Sequence, residues 1–207
     1  VDASTQYQPT PDQVSGMWTK STRGLLVASP ANPTGTLIDP ATLKEFASIA
    51  STKGGSLLVD EIYHGLSYGI DARSALEFSD EVFVINSFSK YFGMTGWRLG
   101  WLVAPDRYIR EIEKLAQNIY IAPSTIAQHA ALAAFNPETI AILESRRQEF
   151  ASRRDILVPG LRKLGFRIAT EPRGAFYVYA DCQDLADDSF QFAEKLLTEA
   201  GVAATPG

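Results

Sequence analysis

Four short runs of consecutive apolar residues divide the first half of the chain: Leu25-Leu26-Val27-Ala28, Ser56-Leu57-Leu58-Val59, Val82-Phe83-Val84-Ile85 and Leu99-Gly100-Trp101-Leu102-Val103-Ala104. They are too short for helices and do not alternate with polar residues. Such runs suit strands covered on both faces, as in sheets flanked by helices. A helical segment separates the first two. Asp39 suits its N-cap and Pro40 its first position, Leu43, Phe46, Ala47 and Ala50 share one face, and Gly54-Gly55 ends it. Strand, helix, strand predicts an α/β fold with a mostly parallel sheet and flanking helices.

The rest of the chain reads differently. Residues 1–22 are polar, contain Pro9 and Pro11 and predict an extended lead-in. From Asp106 onward the pattern is helical, with helices expected over 106–119 and 124–135. Asn136-Pro137-Glu138 starts a third, whose stripe is Ile140, Leu143, Phe150, Leu157, Leu161 and Leu164. Such a helix spans about 40 Å, carries Pro159 as an expected kink, and has the length of one that bridges two bodies. Phe166-Arg167-Ile168, Ala175-Phe176-Tyr177-Val178-Tyr179 and a helix near 188–200 then read as the start of a smaller α+β piece.

Composition sets the outer limits. The 207 residues are 45% hydrophobic and 21% charged, an ordinary globular balance. No apolar run approaches the ~20 residues of a membrane helix. The net charge is −5 and no basic block occurs, which argues against nucleic acid as a partner. The lone Cys182 leaves no internal disulfide and no cysteine-based zinc site. No export signal is visible at Val1–Gln6, so the expected compartment is the cytoplasm. The missing initiator methionine hints at a piece of something longer.

Other motifs carry little. Gly65-Leu66-Ser67-Tyr68-Gly69 matches the hydrolase nucleophile elbow, but that elbow needs a strand directly before the serine and a helix directly after it. His64 and His129 are the only histidines, and they lack metal-ligand spacing. Trp97 and Trp101 read as core or cofactor-wall packing rather than a base-stacking platform, since no block of basic residues surrounds them. Cys182 beside Asp181 reads as a bystander.

The strand ends are more informative, because open parallel sheets bind ligands outside the carboxyl ends of their strands. The first run leads to Asn32. The second ends in Asp60 and Tyr63. The third ends in Ser87, Ser89 and Lys90, with Arg98 eight residues further on. A carboxylate and an ammonium at the ends of buried strands are unfavourable unless paired. A plain Asp60–Lys90 salt bridge is one solution. The whole set suggests another: an amine able to form a Schiff base, a carboxylate for a protonated ring nitrogen, a guanidinium with two hydroxyls for a phosphate, and Asn32 and Tyr63 as donors to a ring oxygen. Pyridoxal phosphate presents all four partners.

Ser29-Pro30-Ala31-Asn32-Pro33-Thr34-Gly35, Asp60-Glu61-Ile62-Tyr63, Ser87-Phe88-Ser89-Lys90 and Gly96-Trp97-Arg98-Leu99-Gly100, in this order and at this spacing, closely resemble the class I/II aminotransferases of the fold-type-I pyridoxal-phosphate enzymes. Glu171-Pro172-Arg173-Gly174-Ala175-Phe176-Tyr177 resembles the family's small-domain strand. The resemblance implies that Lys90 holds the cofactor as a Schiff base and then moves a proton between substrate and cofactor. It implies that Asp60 pairs with the pyridinium nitrogen, that Tyr63 and Asn32 bond the ring oxygen, and that Ser87, Ser89 and Arg98 bind the phosphate. Lys90, Asp60 and Tyr63 are thereby the catalytic candidates. Residues 1–140 become the C-terminal part of the cofactor-binding large domain, 141–165 a connecting helix and 166–207 the beginning of a truncated small domain. The family's reaction moves an amino group between an amino acid and a 2-oxo acid, in a homodimer when full length.

The same motifs are shared by carbon–sulfur lyases, aminocyclopropane-carboxylate synthases and the aminotransferase-like sensor domains of some transcription regulators. Relative to the family, the first half of the large domain and the arginine that grips the substrate carboxylate are missing. The piece is therefore expected to expose apolar surface where other elements pack.

Overall fold

A computed structural model describes residues 1–207. Its centre is a four-stranded sheet of β1 (Gly24–Ala28), β2 (Ser56–Asp60), β3 (Phe83–Ser87) and β4 (Gly100–Val103), in spatial order β1-β2-β3-β4. The first three strands are parallel, with Val27 opposite Val59 and Val59 opposite Val84. β4 runs antiparallel to β3, with Ser87 opposite Gly100 and Val84 opposite Val103. The mostly parallel α/β sheet read from the sequence is the architecture observed.

Helix α2 (Pro40–Thr52) makes the crossover between β1 and β2. Asp39 caps it, its carboxylate accepting from the Thr42 amide at 3.0 Å, and Pro40 sits in the first turn. Leu43, Phe46 and Ala50 face the sheet and bury Val27, Leu57, Val59 and Val84 in the main core. Successive side chains of a strand point to opposite faces, so the other face carries Leu26, Leu58, Phe83, Ile85 and Leu102. No comparable layer covers it: Leu26 is 64% exposed and Leu102 43%. The expectation of strands covered on both faces therefore fails on one face, and the expected exposed apolar surface is found there. An unbroken apolar run records what a strand can bury, not whether a second layer is present.

The lead-in is not extended throughout. Pro11–Met17 form helix α1, with Thr10 and Gln13 in a capping box. Two polar residues at the right spacing outweigh the weak apolar periodicity there. Helices α3 (Asp106–Ile119) and α4 (Thr125–Ala133) lie close to the expected spans. Leu115 and Ile119 on α3, and Ile126 and Leu132 on α4, remain exposed.

The long helix α5 runs from Pro137 to Lys163 without a break at Pro159. Its inward face matches the expected stripe only in part. Leu143 and Val158 are buried, whereas Leu157 and Leu164 are exposed. Arg147 and Arg154 share the inward side, donating to the Ser67 and Pro172 carbonyls at 3.2 Å each. A pattern of apolar residues alone cannot register two arginines whose heads serve as backbone donors.

Residues 166–168 and 175–179 form no ladder. Only single bridges occur, Arg167 with Asp181 and Ser67 with Gly174. The 173–175 backbone instead bonds the loops: Arg173 and Gly174 donate to the Gly35 carbonyl, and Ala175 donates to that of Leu66. Helix α6 (Ser189–Ala200) follows, capped by Asp188. No helix is long and apolar enough to cross a membrane.

Candidate functional site

The carboxyl ends of β1, β2 and β3 carry three loops that hold the sequence-predicted residues. The first is a tight turn in which Gly35, at φ +66°, donates to the Ala31 carbonyl at 2.9 Å. A Cβ on Gly35 would lie 2.7 Å from the Gly174 carbonyl oxygen and 2.8 Å from Pro172. Glycine is thus needed both for the conformation and for the approach of the 172–174 segment. The exposed Asn32 sits on this turn.

Asp60 ends β2. One of its carboxylate oxygens accepts from the Ile62 amide at 3.0 Å, which fixes the group and leaves its other oxygen free of the chain. Tyr63, one turn on, is buried. Its phenol shares a 2.8 Å hydrogen bond with that of Tyr177, 114 residues away in the chain. Burial pushes the Tyr63 phenol well above its usual range, and the Tyr177 bond and the Asp60 charge add to this; the Asn32 side chain acts the other way. Asn32 and Asp60 thus both lie near enough to the Tyr63 phenol to act on it.

Lys90 follows β3. Its ammonium lies 5.3 Å from the centre of the Tyr63 ring and 5.6 Å from that of Phe176, a cation–π setting on two sides. The expected alternative of a plain Asp60–Lys90 bridge does not occur. Neither residue, nor Arg98, takes part in any of the chain's ion pairs.

The antiparallel return of β4 places Arg98 at this same edge. The β3–β4 loop is pinned at its base by the Phe88 amide bonding the Leu99 carbonyl at 3.0 Å. Inside it, the Ser89 amide donates to the Ser87 hydroxyl at 3.1 Å, and the Thr95 hydroxyl donates to the Ser89 carbonyl at 2.6 Å. Arg98 donates to the Thr95 carbonyl at 2.9 Å. Arg98 adopts φ 52°, a left-handed conformation rare for a non-glycine residue and frequent at functional sites. Its other guanidinium donors have no partner in the chain. Ser87, Ser89 and Arg98 thus form a second cluster of donors, joined to Lys90 through the loop backbone.

Sequence reasoning missed several residues in or around this site. Phe176 and Tyr177 enter it from beyond α5. Tyr91, next to Lys90, lies against Gly65, where a Cβ would sit 2.6 Å from the tyrosine ring. Its hydroxyl donates to Glu144 of α5 at 2.6 Å. Only the register of α5, with Glu144, Arg147 and Arg154 one or two turns apart, could have pointed to that face. The hydrolase-like Ser67 lies in a loop bridged to Gly174, without the strand and helix an elbow requires.

A half-buried ammonium without a counter-ion, a carboxylate with a free oxygen, and a guanidinium beside two hydroxyls make a donor set that fits pyridoxal phosphate. The fold is an α/β architecture with a mostly parallel sheet, and this set of groups gathers at the carboxyl edge of its strands. The chain belongs to the aminotransferase class I and II family, whose description matches residues 2–207. It is 44% identical over 205 residues to the valine–pyruvate aminotransferase of Mycobacterium tuberculosis, covering 98% of this chain and 53% of that protein. It is 37% identical over 204 residues to the aspartate/prephenate aminotransferase of Thermus thermophilus, covering 97% and 52%. The crystal structure of an aminotransferase from Mycobacterium tuberculosis superposes with a TM-score of 0.95 at 43% identity, over 100% of this chain and 54% of that one. Thermus thermophilus aspartate aminotransferase with maleate gives 0.93 at 35% identity, over 100% and 54%. The chain spans about half the length of the curated relatives it matches.

Proposed function

We propose that this chain carries the lysine-bearing part of a pyridoxal-phosphate-dependent aminotransferase that moves an amino group between an amino acid and a 2-oxo acid. The reading rests on one observation above all: the half-buried Lys90 ammonium, without an ion partner, held over the Tyr63 ring at the edge where Asp60 also has none. When bound, pyridoxal phosphate supplies an aldehyde for amines and a ring that accepts electrons from the substrate carbon.

Each residue then has a separate task. Lys90 Nζ is the amine that would hold the cofactor's aldehyde, and the same nitrogen would serve as the general base that takes and returns a proton. The free Asp60 oxygen accepts from the ring nitrogen and keeps it protonated. Asn32 and Tyr63 would donate to the ring oxygen. Ser87, Ser89 and Arg98 bind the phosphate, Arg98 through the parallel donors of its guanidinium.

Residues 1–140 serve as the C-terminal part of the cofactor domain, 141–165 as the connecting helix and 166–207 as the start of the small domain; the span of α5 supports that division. The full-length protein would work as a cytoplasmic homodimer. Valine with pyruvate, and aspartate with a 2-oxo acid, are the first pairs to assay, since matched relatives carry those names.

Borohydride reduction in the presence of pyridoxal phosphate, followed by peptide mass mapping, tests the reading. One adduct on Lys90 is expected, absent in Lys90→Ala. An adduct on Lys20, Lys44 or Lys163 in its place sinks it.

A further inference from the structure

Tyr91 and the 64–69 loop leave the sheet from different strands, yet both are fastened to one stretch of α5. Tyr91 donates to one oxygen of Glu144 at 2.6 Å. Arg147, one turn further along the helix, donates to the other oxygen of Glu144 at 2.8 Å and to the Ser67 carbonyl at 3.2 Å. The ring of Tyr91 packs on Gly65, where no side chain could fit. A closed circuit results. It runs from Lys90 through the adjacent Tyr91 to Glu144, on to Arg147 and Ser67, and back along the loop to Tyr63.

We propose that Glu144 and Arg147 are positioning residues: by bridging Tyr91 and the Ser67 carbonyl, they fix Lys90 against Tyr63 and so pre-set the cofactor site. The inference rests on reading Lys90 as the cofactor lysine.

The chemistry suits a rigid link. The Tyr91 bond holds the Glu144 carboxyl below its usual range, with Arg147 adding to the effect. Burial and the Glu144 bond together push the Tyr91 phenol up to about 12. Tyr91 stays a donor and Glu144 an acceptor across the working pH range, and hydrogen bonds to an ionised partner are short and strong. Elsewhere on α5 the Arg153–Glu149 pair, four residues apart and exposed on both sides, touches neither loop. That pair serves the helix alone and is the natural control.

Amide hydrogen exchange of the cofactor-free chain tests the bridge directly. In Glu144→Ala, segments 64–69 and 89–93 should both exchange at least ~10-fold faster. Glu149→Ala should leave both unchanged. Glu144→Gln should restore protection, because its amide oxygen can accept from Arg147 while its NH2 group donates to the Tyr91 hydroxyl, which accepts as well as donates. Pyridoxal phosphate, measured by absorbance titration, should bind at least ~5-fold more weakly to Glu144→Ala than to Glu144→Gln. Tyr91→Phe, which keeps the ring on Gly65 and removes only the hydroxyl, should reproduce the alanine result if Glu144→Ala does not fold. Faster exchange in only one segment overturns the proposal, as does an equal effect of Glu149→Ala or normal protection in Tyr91→Phe. The exchange readout needs no cofactor. A wild-type chain that gives no Lys90 adduct would therefore sink the functional reading and leave the bridge to be judged by exchange.

Discussion

The two faces of the sheet are made of the same residue types and have opposite fates. Leu57 and Val59 point towards α2 and are almost fully buried; Leu26, on the neighbouring strand and the opposite face, is 64% exposed. Phe46 from α2 is completely enclosed in the same cluster as Leu57 and Val59. Stability in this chain is therefore concentrated on one side of the sheet. The carboxyl edge, where the site lies, is held by polar bonds between loops and α5. The open face contributes little to the fold of this chain and presents apolar surface to whatever packs on it.

The largest expected effect comes from breaking the covered face. Phe46→Ala should destabilise the chain by about 3–5 kcal/mol in denaturant unfolding, a large part of a typical domain's total. Leu26→Ala should change stability by less than about 0.5 kcal/mol. Equal losses would mean that both faces are packed in solution, and the comparison would fail.

Gly35→Ala is next. It forces a side chain onto φ +66° and against the Gly174 carbonyl, and should cost about 1–3 kcal/mol. Its signature should be local: hydrogen exchange should rise in 172–175 and leave α2 protected. Loss of protection across both would show that the loop clamp and the covered core unfold as one unit.

A smaller effect is expected at the helix that makes the covered face. Asp39→Ala removes the α2 cap and should cost about 1 kcal/mol. The Thr42 hydroxyl bond holds the Asp39 carboxyl below its ordinary 3.8. A lowered folded-state pKa contributes stability above that ordinary value and loses it as pH falls through the folded one. The difference between wild type and Asp39→Ala should therefore be full at pH 6 and shrink below about pH 4. A difference that persists unchanged at pH 2 would assign the effect to something other than the carboxylate.

A small change in stability is also expected of Leu26→Lys with Leu102→Lys on the open face. That double variant should unfold within about 1 kcal/mol of wild type. It should bind less of an apolar fluorescent dye and self-associate less in sedimentation. Unaltered dye binding would place the accessible apolar surface elsewhere, with Ile119 and Ile126 as the next candidates.

Much of this was legible in the linear chain. Short unbroken apolar runs marked all four strands, and Asp39-Pro40 marked the start of α2. Asn32, Asp60, Tyr63, Ser87, Ser89, Lys90 and Arg98 could be named because polar groups at the ends of buried strands need a reason. The α1 cap is equally local, but it lies in a polar, proline-containing lead-in with weak apolar periodicity. The α5 stripe is legible only in part: Leu143 and Phe150 pack inward as expected, but Arg147 and Arg154 also occupy inward positions that a pattern of apolar residues passes over. Tyr177 could not be found at all, because 114 residues separate it from the phenol it bonds.

The division has a physical origin. Periodicity, capping and turn chemistry act over a few residues, so the sequence by itself determined the elements and the reactive groups at their ends. The direction of β4, which returns Arg98 to the edge that carries Lys90, depends on pairing between strands. The covered face depends on where α2 packs. The bridge from Tyr91 through Glu144 and Arg147 to Ser67 depends on the register of a helix against two loops. Those are long-range choices, made by burial and hydrogen-bond satisfaction across the whole molecule, and only the tertiary structure decided them.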